Sequence, residues 1–226
     1  MSRIKTTTKR ERLSRGRILE VALLVADDEG VDSLKMRELG RTLGVEGMAL
    51  YRHFSNKDEI LDAMLDSVLA ETVTSAGPGD WLEAVRRSAI SVHRALERHP
   101  WAIELLMDPV RIRPARLEHI EALLARLEDA GFSEEETYHA YHLLDAYVYG
   151  FSLWLAGHSF TTASSLAAVE RVRDMITFAD YPHLAKHHEQ HQIEGPHREV
   201  SAFEIGLDLV MEGLAKKLQG DVGMRA

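Results

Sequence analysis

Cysteine is absent from this 226-residue chain, which excludes disulfides, thiolate nucleophiles and cysteine-bound metal. The absence fits a reducing compartment, and a cytoplasmic location is the expectation. Proline is scarce at six residues, and no period-two alternation of apolar and polar side chains stands out. Helices are therefore the expected building element, and the fold class is all-α. No run approaches the roughly 18 apolar residues of a membrane-spanning helix, so no membrane partner is expected. The basic opening, MSRIKTTTKRERLSRGR, lacks the apolar stretch of a secretory signal. Also missing are a Gly-rich phosphate loop, a nucleophile elbow, an HExxH pair and paired carboxylates, so neither catalytic residues nor a cofactor are expected.

What the chain does have is charge, unevenly placed. The net charge is −9, yet residues 1–57 hold 12 Lys and Arg against 8 Asp and Glu. The remainder holds 15 against 28. A basic head on an acidic body points to a polyanion as the partner of the head alone.

The head reads as short helices. Ser14 is a helix cap, Ile18, Val21, Ala22, Leu24 and Val25 recur at helical spacing, and Gly30 is a stop. Leu34, Leu39 and Leu43 form the apolar side of a second helix, and Gly44 allows a tight left-handed turn. A third helix, about Glu46 to His53, carries Leu50 and Phe54 one turn apart on its inner side. Ser55 or Asn56, with Asp58 or Glu59, makes a capping box for a fourth. Two short helices joined by a glycine turn and backed by a third form a helix-turn-helix. Its outward set is Glu46, Gly47, Met48, Tyr51, Arg52 and His53.

The stretch LKMRELGRTLGVEGMALYRHFSNKDEIL resembles the DNA-binding signature of the TetR family of transcriptional repressors, over residues 14–65. HPWAIELLM, LLDAYVYGFSLWL and FEIGLDLVMEGLAKKL resemble, more loosely, the ligand-binding half of the tetracycline-repressor-like branch. The resemblance implies an arm at 1–13, a DNA-binding domain at 14–65 and a ligand-binding and dimerisation domain at 66–226. It implies phosphate or sugar contacts from Tyr51 and His53, with Lys57 adding charge at a helix N-terminus. Arg37 would reach a base edge or the backbone. Three positions depart from the family pattern. Gly47 and Met48 stand where relatives place polar residues, so reading would lean on Arg37, Arg52 and groove shape. Lys35, just ahead of Met36, replaces the usual hydroxyl cap.

In the body, AGPGD breaks the chain at residues 76–80, and helices are expected from Asp80, from Pro114 to Ala130 and from Glu134. The last of these is apolar on nearly every side, which implies a core face, a cavity face and a partner face. Candidate ligand-lining residues are Met64, Trp101, Leu105, Met107, His142, Tyr149 and Trp154, with other aromatics nearby. In the terminal helix, Phe203, Leu207, Val210 and Leu214 form a stripe, and Gly206 and Gly213 form a seam for a close helix neighbour. Stripe and seam are the expected homodimer interface, in a four-helix bundle with the helix from Glu134. Two half-sites about 34–36 Å apart, or a multiple, would match such a dimer. The partners expected are thus a duplex operator, a small-molecule effector and a second copy of the chain. A rival reading uses His187 and His191, at i and i+4 within YPHLAKHHEQHQIEGPH, as metal ligands of an all-α enzyme.

Overall fold

The computed structural model describes residues 12–158, 180–186 and 202–224, and every regular element among them is helical. In order these are α1 (Arg15–Glu29), a 3-10 turn (Val31–Ser33), α2 (Met36–Thr42), α3 (Gly47–Leu50), α4 (Lys57–Ala70), α5 (Trp81–Arg98), α6 (Ala102–Met107), α7 (Pro114–Asp129), α8 (Glu134–His158) and α9 (Ala202–Met224). Two compact units divide the chain. One comprises the chain to Glu71 together with Arg98–Leu117; the other comprises Thr72–Glu97 and the chain from Glu118 onward.

The first unit is a set of short helices around one core. Ser14 Oγ accepts the Arg17 N–H at 3.3 Å and starts α1. Ile18, Ala22 and Ala26, four residues apart, bury one face of that helix, while Leu24 lies outside the stripe and is 63% exposed. Leu39, Leu50, Phe54, Ile60, Met64 and Leu65 are among the buried residues that join that face in the core. The expected boundary at residue 65 falls inside α4, which continues to Ala70. The segment after α6 is fastened to α4 by charge. Arg111 pairs with Asp58 and Asp62, and Arg113 pairs with Asp62 and Asp66, so one acidic α4 stripe is matched by two arginines.

The second unit packs α5, α8 and α9 together. Ala84, Val85, Ala89 and Val92 of α5, Ala140, Leu144 and Val148 of α8, and Phe203, Leu207, Met211 and Leu214 of α9 are buried. Arg86 on α5 ties to Asp208 at 2.6 Å and to Glu204 at 3.0 Å on α9. The capping box expected before α8 is present: Ser133 Oγ accepts the Glu136 N–H, and Glu136 accepts the Ser133 N–H at 2.8 Å. The apolar surround of α8 is only partly covered by its own unit, since Leu143 and Leu153 are about half exposed.

Candidate nucleic-acid interface

Helices α2 and α3 cross closely because glycines meet at the crossing. A Cβ on Gly40 would lie 2.8 Å from the Gly47 nitrogen, and one on Gly47 would lie 3.1 Å from the Met36 carbonyl oxygen. Between them Gly44 takes φ 69°, and the Val45 N–H reaches the Gly40 carbonyl at 2.9 Å. Gly47 is therefore a packing residue, which is why no polar side chain stands there. The sequence pattern held the clue, in three glycines at 40, 44 and 47, and the Gly40 partner went unrecognised.

The third helix is shorter than expected. It spans Gly47–Leu50, and the chain then tightens through i→i+3 bonds from Arg52 to Ala49 and from His53 to Leu50. The expected phase nevertheless holds. Leu50 and Phe54 are sealed in the core, while Met48 is 73% and Tyr51 46% exposed. Lys35, Arg37 and Arg52 are exposed, and Met36 and His53 are half-buried. The Arg37 side chain lies 3.7 Å from Glu38 yet stays 93% exposed, so it is available to another partner. Lys57 opens α4 as expected, with its ammonium 3.4 Å from the Val31 carbonyl oxygen.

Two residues the sequence reading did not single out as a pair hold this turn. Arg15 Nη1 donates to the His53 carbonyl and to Glu59 Oε1, both at 2.7 Å. Its guanidinium carbon sits 4.0 Å over the Phe54 ring. Glu59 Oε2 accepts the Ser55 N–H at 2.7 Å, and Asn56 Oδ1 accepts the Glu59 N–H at 2.8 Å. The Ser55 N–H and then the Arg15 guanidinium hold the Glu59 carboxyl below the usual carboxylate range. The arrangement offers an outward-facing set of basic and aromatic side chains on a turn tied down by these bonds, which suits phosphate and base-edge contact.

The comparison with known proteins agrees with that geometry. The description "Bacterial regulatory proteins, tetR family" matches residues 18–64, and "Tetracyclin repressor-like, C-terminal domain" matches residues 74–218. The chain belongs to the TetR family. It is 32% identical to the tetracycline repressor protein class C of Escherichia coli over 214 residues, covering 91% of this chain and 92% of that one. It is 34% identical to the transcriptional repressor DrrR1 of Streptomyces coeruleorubidus over 61% of this chain, and the match spans about half (52%) of that repressor. Among solved structures it resembles ActR of Streptomyces coelicolor in complex with actinorhodin, at a TM-score of 0.62 and 27% identity, covering 92% of this chain and 99% of that one. It also resembles BioQ with its natural double-stranded DNA operator, at 0.57 and 28%, covering 70% of this chain and 97% of that one. TetR regulators are DNA-binding helix-turn-helix proteins and not enzymes, so the metal-enzyme reading is set aside on family grounds. His187 and His191 lie outside the described residues. Among the described residues no helix is long and apolar enough to cross a membrane.

Within this TetR chain the other candidate residues divide between the two units. Met64, Trp101 and Leu105 are buried in the first unit. There the Trp101 N–H is spent on Asp27 at 2.7 Å, an oxygen that also meets His99 Nδ1. Met107 is 47% exposed in the same unit. His142, Tyr149 and Trp154 lie along α8, where His142 meets the Tyr138 carbonyl at 2.8 Å. Among the described residues of the second unit, the buried polar atoms without a partner are His119 Nδ1, Ser75 Oγ and Thr137 Oγ1. Burial holds the His119 ring below its ordinary range, and its Nε2 lies 3.1 Å from Ser88 Oγ.

The expected interface stripe on α9 is filled by the chain itself. Phe203, Leu207 and Leu214 are buried in their own unit, with Phe203 stacked on His93 at 3.8 Å, and Val210 is half-buried. Gly206 does admit a close neighbour, but that neighbour is Tyr147 of the same chain, 2.9 Å from a built Cβ at its ring carbon Cζ. The opposite face carries Ile205, Leu209 and Gly213, all exposed. Sequence alone showed an apolar helix on both faces and offered no means of choosing which face turned inward.

Proposed function

We propose that the chain is a ligand-responsive transcriptional repressor that binds a near-palindromic operator as a homodimer. A small molecule bound in the helical body then releases it. The observation that carries the reading is the phase of the recognition turn: Leu50 and Phe54 are sealed while Arg37, Met48, Tyr51 and Arg52 face solvent. Lys35, Met36, Gly47, His53 and Lys57 frame that set. Each head reads only a few base pairs, so a second copy is needed for useful specificity. Supporting the homodimer, Leu143 and Leu153 on α8 and Ile205 and Leu209 on α9 are exposed large apolar side chains. Exposed Gly150 and Gly213 lie on the same helices and leave room for close approach. These residues, rather than Phe203, Leu207 and Leu214, are the proposed contact.

The effector reading draws on the relative crystallised with actinorhodin and on the unpartnered His119 nitrogen. A buried polar atom left unpaired costs about 1–3 kcal/mol, which a ligand oxygen or nitrogen would recover. The mechanism is a population shift, in which the ligand favours the form whose heads no longer match the half-sites. The test begins with a thermal-shift screen of small molecules. Those that stabilise the protein are added to its complex with a duplex selected from a random pool, followed by anisotropy. Release of the duplex by a stabilising molecule is expected, and binders that leave the complex intact would contradict ligand control. Sedimentation of the Leu153→Glu, Leu209→Glu double variant tests assembly, with monomers expected.

A further inference from the structure

Arg15 belongs to the basic N-terminal region, and by charge alone it is one more phosphate contact. Its guanidinium is engaged elsewhere. It is bonded to the His53 carbonyl and to Glu59, and lies on the Phe54 ring. Glu59 in turn holds the Ser55 N–H. Residues 53–56 link Tyr51 and Arg52 to α4, and this pair grips the link from α1 on one side and from α4 on the other. We infer that Arg15 and Glu59 are positioning residues for operator recognition, and that the Glu59 carboxylate strengthens specific DNA binding although its charge repels phosphate. The inference rests on the operator reading above.

The physical reason lies in order. A recognition turn held in its bound conformation need not be immobilised when the operator binds, so fixing it favours the complex. Nonspecific binding depends on charge and tolerates a looser turn, whereas base reading does not. Electrostatics and positioning therefore give opposite signs for Glu59→Gln. Removing a negative charge near DNA tightens binding to any duplex. Loosening the turn weakens binding to the operator alone.

The experiment measures full-length wild type, Glu59→Gln and Arg15→Met by fluorescence anisotropy. The probes are one duplex selected by the wild type from a random pool and one scrambled duplex, each over a range of salt. We expect Glu59→Gln to weaken the selected duplex roughly fivefold or more, the loss of a charge-assisted hydrogen bond, with the scrambled duplex unchanged or slightly tighter. Arg15→Met should lower the ratio of the two affinities likewise, without reducing the salt slope. Partial unfolding lowers both affinities in proportion, so the ratio separates positioning from a loss of folded protein. Tighter binding of Glu59→Gln to both duplexes, or a salt slope for Arg15→Met reduced by about one unit, would overturn the inference. A wild type that fails to prefer its selected duplex would remove the operator reading and this inference with it.

Discussion

The recognition turn and the α8–α9 pair obey the same packing rules, yet only the first was readable in detail. In the turn, small helices meet at glycines, and Leu50 and Phe54 are sealed while Met48, Tyr51 and Arg52 face solvent. In the α8–α9 pair, large apolar residues stand on both sides of each helix, with Phe203 and Leu207 buried and Ile205 and Leu209 exposed. A helix with polar residues on one side announces its phase. A helix apolar all round does not, because burial alone decides which face turns inward.

The largest expected effect is at Leu50. Leu50→Ala should destabilise the head by about 2–5 kcal/mol, as for a fully buried leucine. A melt indistinguishable from wild type would put the recognition turn in the wrong phase.

Next comes a pH effect confined to the body. His93 is buried, bonds Ser152 through Nδ1 at 2.8 Å, and has its pKa pushed down to about 4, by burial first and then by Arg94. Its Nε2 lies 3.8 Å from Glu97. Because the folded pKa is below the unfolded value of about 6.5, protonation favours the unfolded chain. The His93 contribution should be complete above about pH 6.5 and lost as the pH falls to about 4, amounting to about 3 kcal/mol. Denaturant melts across that window check it. In His93→Gln the loss should flatten.

A pair of glycine substitutions sharpens the contrast. Gly40→Ala forces a Cβ against the Gly47 backbone and should cost about 1–3 kcal/mol, with loss of DNA binding. Gly213→Ala meets no described residue of its own chain within 4 Å and should leave the fold of a single chain intact, any loss coming through the proposed partner contact. Equal melting shifts for the two would contradict the close α2–α3 crossing. The smallest stability effect belongs to Tyr51→Ala, within about 0.5 kcal/mol, while its operator affinity falls.

Legibility followed range along the chain. The Ser14 cap, the Gly44 turn, the Ser133–Glu136 box and the Leu50–Phe54 face are local patterns, and each was present in the sequence. The link between Arg15 and Glu59 spans 44 positions, and that between Trp101 and Asp27 spans 74. No period connects such residues, so the Arg15–Glu59 pair was not legible and Trp101 read as a ligand-lining ring. The expected interface stripe is buried in its own unit, and Phe203 looks the same in sequence whether it meets His93 of α5 or a second chain.

The most direct test of the account is selection of a duplex from a random pool, followed by sedimentation of the complex. The account predicts enrichment of a near-palindrome, two chains per duplex, and an affinity that falls steeply with salt. Equal affinity for selected and random duplexes at one salt concentration would contradict it.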